Sequence, residues 1–147
     1  MRRALAETMG AHRVVDPAAS DVFDAWSELG RSRPLVVFEA VGVAGMIDDA
    51  LRAAPRLARL VVVGVCMGED RLTPFWGIAK ELSVQFTLAY DLEEFASALR
   101  AIAEGEIDVR PMITGEVGID GVAAAFDDLG HPDRHCKILV TSAVGST

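Results

Sequence analysis

The residues best placed to meet a ligand are two short clusters, Glu39-Ala40-Val41-Gly42 and Gly64-Val65-Cys66-Met67-Gly68, each at the end of an apolar run. In open α/β sheets ligands sit beyond the carboxyl ends of the strands, so both clusters fall where a site is expected. Glycine there lets a flat or phosphorylated ligand approach the backbone, and Glu39 sets a carboxylate before a helix N-terminus. The same residues also read as turn glycines and a helix cap. Neither cluster is a GxGxxG phosphate loop, and Val43-Ala44-Gly45 does not complete one.

Metal and nucleophile chemistry have weaker footing. His131, His135 and Cys136 are spaced as three zinc ligands would be on a helix, but Pro132 places them in a turn, so no metal site is expected. Cys66 follows a buried strand with no cation beside it in sequence and reads as an inert core thiol. The pairs Asp48-Asp49, Glu93-Glu94 and Asp127-Asp128 are adjacent on helices, point in different directions and read as solvated faces. No catalytic residue and no metal ligand is predicted.

The elements that would position these residues follow from periodicity. Residues 3–9 read as a helix tail ending at Gly10, followed by a β-prone Arg13-Val14-Val15 that Asp16-Pro17 breaks. Ser20 or Asp21 can cap a helix carrying Val22, Phe23, Trp26 and Leu29. Two runs apolar on every residue, Pro34 to Phe38 and Leu60 to Val65, flank an amphipathic stretch (Met46, Ile47, Ala50, Leu51, Ala54) that stops before Pro55. Such runs alternating with helices are the pattern of parallel strands covered on both faces. Pro74 then confines any strand near Leu72 to Phe75 to an edge. Glu81 to Tyr90 reads as a strand, Leu92, Phe95, Leu99 and Ile102 mark one helix, Val122, Ala123 and Phe126 another, and Lys137 to Val140 a last strand.

The predicted class is α/β: a partial Rossmann-like parallel sheet flanked by helices, with a C-terminal α+β segment. The predicted division is residues 1–90 and 91–147.

The chain has 147 residues, with 14 Lys and Arg against 22 Asp and Glu, a net charge of −8 that opposes nucleic acid and anionic membrane as partners. The longest apolar run, Leu60 to Met67, is too short to span a bilayer, and the N-terminus lacks the apolar segment of a signal peptide. Two cysteines, neither in a CxxC motif, fit a reducing cytoplasm.

Taken in order, Ala6 to Pro17, Val37 to Gly42 and Leu60 to Val65 resemble the later Rossmann units of the zinc-type medium-chain dehydrogenase/reductase family. The resemblance continues through Phe86 to Asp91, Ala103 to Thr114, Ala125 to Asp127 and Lys137 to Val140, and is nearest to the threonine, sorbitol and butanediol dehydrogenase branches. It implies NAD or NADP as cofactor. Arg2 would then reach the adenosine ribose, Val41 and Gly42 would flank the adenosine half, and Val63, Gly64, Val65, Leu88 and Ala89 would line the nicotinamide. The family's basic residue near the pyrophosphate falls at Cys136 here, with Lys137 following it.

The family's zinc ligands belong to an N-terminal domain, and its glycine loop and cofactor-selecting acid to a first βαβ unit; none of these is among the 147 residues. The expectation is therefore a fragment of an alcohol or polyol dehydrogenase, inactive as it stands, binding NAD(P) weakly or not at all, with zinc a property of the parent only. The resemblance also implies a homodimer or larger homo-oligomer formed through an edge strand near Leu72 to Phe75. The competing reading is a self-contained small α/β ligand-binding or regulatory module without catalysis.

Overall fold

The computed structural model describes residues 1–30, 34–131 and 133–142. In chain order the elements are α1 (Arg2–Thr8), α2 (Val22–Glu28), β1 (Val36–Glu39), α3 (Met46–Ala53), β2 (Arg59–Val62), α4 (Pro74–Lys80), β3 (Ser83–Phe86), α5 (Leu92–Ala103), β4 (Ile113–Val117), α6 (Val122–Leu129) and β5 (Lys137–Val140), with single 3-10 turns at Arg110–Met112 and Ile119–Gly121. They group into two compact units, residues 17–90 in one and residues 1–16 with 91–147 in the other. The expected division at residue 90 falls on a boundary between the units, but residues 1–16 lie with the C-terminal segment.

In the 17–90 unit β1, β2 and β3 form a parallel sheet in that order, with Val37 opposite Leu60 and Leu60 opposite Val84. Ile47 and Leu51 of α3 pack on Leu60 and Val62 of β2, and Val37, Ala50, Trp76 and Leu82 close round them. Their spacing puts the two α3 residues on one helical face, and Leu60 and Val62 on one sheet face. Helix α3 stops at Ala54, whose extended backbone leads into Pro55. Helix α2 is started by Asp21, whose carboxylate accepts from the amides of Phe23 at 2.6 Å and Asp24 at 3.3 Å.

Three expectations need correction here. Burial on both faces holds for β2, where Leu60, Val61 and Val62 are all buried, but not for β1: Val36 and Phe38 point away from α3 and stand 45% and 67% exposed. No strand occupies Leu72 to Phe75; Pro74 is instead among the first residues of α4, where its fixed φ suits a helix and its missing N–H is no loss. The strand read over Glu81 to Tyr90 is confined to the four residues of β3.

In the other unit β4 pairs β5 in parallel, with a register shift between Ile113 and Gly115, and α6 forms the connection. Helix α5 opens with a capping box: Asp91 accepts from the Glu94 amide at 2.8 Å and Glu94 accepts from the Asp91 amide at 2.9 Å. Val14 and Val15, read as β-prone, form no strand. A strand needs a ladder partner for its amides, and propensity alone does not supply one. Among the described residues no helix is long and apolar enough to cross a membrane.

Candidate functional site

The two strand-end clusters meet. The Glu39 carbonyl accepts from the amides of Val63 at 2.8 Å and Gly64 at 2.9 Å. The Glu39 side chain, 6% exposed, turns back so that one oxygen accepts from the amides of Val41 at 2.7 Å and Gly42 at 2.8 Å. A buried carboxylate is tolerable when donors of this kind satisfy it, and here they fix the loop beyond β1.

Gly42 and Gly64 lie against each other. A Cβ on Gly64 would come within 2.3 Å of the Gly42 nitrogen and 2.6 Å of a Glu39 carboxylate oxygen, and one on Gly42, at φ +70°, within 2.6 Å of the Val65 nitrogen. The atoms in the way are the protein's own. The glycines are thus needed for the two loops to touch, which is the turn reading in a stronger form.

Around that contact the apolar side chains face outward. Val41 is 63% exposed, Val63 48% and Val65 66%. Leu88 and Ala89 follow β3 at the same end of the sheet, where Thr87 holds the Val62 carbonyl through its amide at 3.0 Å and its hydroxyl at 3.1 Å. Leu88 is exposed, and Ala89 adopts φ +53°, a left-handed conformation that costs a non-glycine residue about 1 kcal/mol. The structure therefore brings Val41, Gly42, Val63, Gly64 and Val65 into one patch, with Leu88 and Ala89 on the same strand-end side of the sheet.

Arg2 and Lys137 belong to the other unit. Arg2 opens α1 and lines, with Leu5, Met9, Met112 and Cys136, a cavity of about 320 Å³. Lys137 is the exposed first residue of β5, opposite Ile113.

The loop from Gly64 to Thr73 is tied to the start of α3 by Asp70, which sequence reading passed over, and by Asp48, which reads in sequence as part of a solvated face but has a side chain only 13% exposed. Asp70 accepts from the Gly45 amide at 2.8 Å, and Asp48 from the Thr73 amide at 2.6 Å. The Thr73 amide, with Arg52 at 2.9 Å as the next contributor, holds the Asp48 carboxyl below the usual aspartate range. At the far end of α3, the Lys80 ammonium donates to the carbonyls of Leu51, Arg52 and Ala54. It also lies 5.5 Å from the Trp76 ring centre. The aspartate–amide and lysine–carbonyl partners are 25 to 29 residues apart in sequence, so no local pattern announces them.

The histidines are committed separately. His131 Nδ1 lies 3.2 Å from the Asp127 carbonyl at the end of α6, whereas His135 Nδ1 lies 3.3 Å from the Thr114 hydroxyl, its ring against Gly115. The Thr114 hydroxyl also accepts from the Cys136 amide at 2.9 Å. Pro132, on which the turn reading rested, lies outside the described residues. Among the described residues no three His, Cys, Asp or Glu side chains converge as metal ligands would, so these residues do not fit a zinc ion.

A parallel α/β unit with a glycine-packed, apolar strand end is the class that the geometry defines. Residues 1–104 match the family model described as zinc-binding dehydrogenase, and the chain belongs to that family. It is 29% identical over 142 residues to 2-dehydro-3-deoxy-L-galactonate 5-dehydrogenase of Pseudoalteromonas atlantica, covering 95% of this chain and 41% of that protein. The structure of 2R,3R-butanediol dehydrogenase from Bacillus subtilis superposes with a TM-score of 0.80 at 25% identity, over 97% of this chain and 41% of that one. A zinc-binding dehydrogenase from Sinorhizobium meliloti bound to NADP superposes with a TM-score of 0.75 at 29% identity, over 95% of this chain and 42% of that one. The chain thus spans about two-fifths of the length of the proteins it matches.

Proposed function

We propose that residues 17–90 form part of the wall of a nicotinamide-cofactor site in a dehydrogenase that moves hydride between a hydroxylated carbon of an alcohol or polyol and NAD or NADP. The observation that carries this reading is the patch of exposed Val41, Val63 and Val65 round the Gly42–Gly64 contact, at the carboxyl ends of adjacent parallel strands. The named activities of the relatives, on a sugar acid and a diol, and the NADP of the Sinorhizobium protein support it. A bound nicotinamide would supply the hydride chemistry. This chain's residues would pack its apolar surface and exclude water, on two loops that the Gly42–Gly64 contact holds together. No step is assigned to zinc, since the residues present do not fit it.

Affinity is set by the phosphate anchor, and a glycine-rich loop at a helix N-terminus is the usual one. With none in the sequence, we expect a Kd on the order of 1 mM or weaker for this chain. An amide-shift titration by NMR with NADH and NADPH, to about 10 mM, tests the placement. Shifts are expected at residues 41–42, 63–65 and 88–89. Unmoved amides there, with shifts elsewhere or none, would overturn the assignment.

We further propose that the protein is cytoplasmic and self-associates. Both cysteines are free thiols, which suits a reducing compartment, and the exposed apolar sheet face favours a cover.

A further inference from the structure

Among the described residues Glu39 is the one buried charged side chain, 6% exposed, and no Lys, Arg or His pairs with it. Its Oε1 accepts from the amides of Val41 and Gly42. Its Oε2 receives no donor from the described residues and lies 2.6 Å from where a Cβ on Gly64 would stand. Among the described residues the unpartnered side-chain oxygen sealed from solvent is Asp70 Oδ2, so Glu39 Oε2 keeps an opening to the surface. Buried charges are ordinarily paired, and two amides on one oxygen leave this one uncompensated. The two glycines beside it belong to the same 17–90 unit and sit amid the exposed valines of the strand-end patch.

We infer that, with residues 41–42 and 63–65 taken as the cofactor wall proposed above, Glu39 sets the redox preference of that wall. Its carboxylate favours the oxidised nicotinamide ring, which is a cation, over the reduced ring, which is neutral. The two rings have nearly the same size, so packing against Val63 and Val65 barely distinguishes them. Charge does. Both forms of the cofactor carry the same phosphates, and the repulsion of those phosphates by Glu39 cancels in the comparison. A ring packed on Gly64 and the valines need not touch Oε2 to feel it, because the apolar side chains keep back the water that would screen the charge. At about 6–10 Å, with an effective dielectric constant of about 40, the attraction between two unit charges amounts to roughly 3- to 10-fold in affinity.

The full chain and its Glu39→Gln variant, each titrated with NAD⁺ and with NADH and followed by amide shifts at residues 41–42 and 63–65, test this. Glutamine keeps an oxygen for the Val41 and Gly42 amides and removes the charge. The wild-type chain is expected to bind NAD⁺ more tightly than NADH, and Glu39→Gln to lower that preference by about 3- to 10-fold. A residue that only held the loop would, when changed, weaken both forms alike and leave the ratio where it was. Glu81→Gln removes one charge from the opposite end of the sheet, before β3, and is expected to leave the preference unchanged. A wild-type chain that binds NAD⁺ no better than NADH, a preference that survives Glu39→Gln, or one that falls as far with Glu81→Gln would overturn this inference alone. The first of these outcomes needs no variant, so it decides the matter where glutamine is not tolerated. Amides at 41–42 and 63–65 that move with neither form would overturn the wall itself, and the role of Glu39 with it.

Discussion

Gly64→Ala is the sharpest perturbation of the strand-end contact. The new methyl would lie 2.3 Å from the Gly42 nitrogen, 2.7 Å from its Cα and 2.6 Å from a Glu39 carboxylate oxygen. Ordinary contact is about 3.5–4 Å, so the loop beyond β1 must retreat by more than about 1 Å. It is not free to do so, because Glu39 holds the Val41 and Gly42 amides and receives the Gly64 amide on its own carbonyl. Overpacking typically costs about 1–3 kcal/mol, and a hydrogen bond to a charged group about 1.5–3 kcal/mol. Partial relaxation keeps these from adding in full, giving an expected loss of about 3–5 kcal/mol against the roughly 5–15 kcal/mol that holds a domain together. Trp26 and Trp76 both lie in the 17–90 unit, so urea unfolding followed by tryptophan fluorescence reports on that unit. The midpoint should fall by roughly 2 M. Gly68→Ala is the control: nothing lies within 4 Å of its Cβ, and a change within about 0.5 kcal/mol is expected. A Gly64→Ala protein within about 1 kcal/mol of the parent would refute the packing argument.

Lys80→Met removes the cation from three carbonyls at the end of α3 and should cost about 1–3 kcal/mol by the same urea assay. Asp91→Ala removes the capping box of α5, with an expected loss of about 0.5–2 kcal/mol, and hydrogen exchange should quicken in its first turn. The Arg110 side chain, then its amide, holds the Asp108 carboxyl at about 2, below the usual 3.8. With the folded value depressed, the contribution of this group is complete above pH about 4 and is lost as pH falls toward about 2. An NMR titration should show that midpoint, and Arg110→Ala should return it toward 3.8.

What was legible in the sequence tracks how local each cause is. β1, β2 and α3 were visible because their apolar residues recur at strand or helix spacing, and the capping aspartate Asp21 lies next to the helix it starts. β4 was not, because Gly115 and Glu116 dilute its pattern, while its pairing depends on Thr114 meeting Cys136 across 22 residues. In sequence, Pro74 marks an edge strand. A proline at the start of a helix satisfies the same local rule, and only the packing of Trp76 against the α3 core decides between them. The strand-end contact was half-legible: strand ends and glycines pointed to it, but only coordinates could reveal that a Cβ would strike protein and not open space.

That distinction separates folding from binding at the strand ends. Because Gly42 and Gly64 are consumed by contact between the two loops, the valines beside them have no room inward and stand 48% to 66% exposed. Exposed apolar groups contribute little to stability, so Val41→Ser or Val65→Ser should leave the fold within about 0.5 kcal/mol. The same changes would remove part of the apolar surface available to a flat ligand. A loss of NADH-dependent amide shifts without a loss of stability would therefore place these side chains in recognition. A matched loss of both would mean that the valines, and not the glycines alone, hold the loops together.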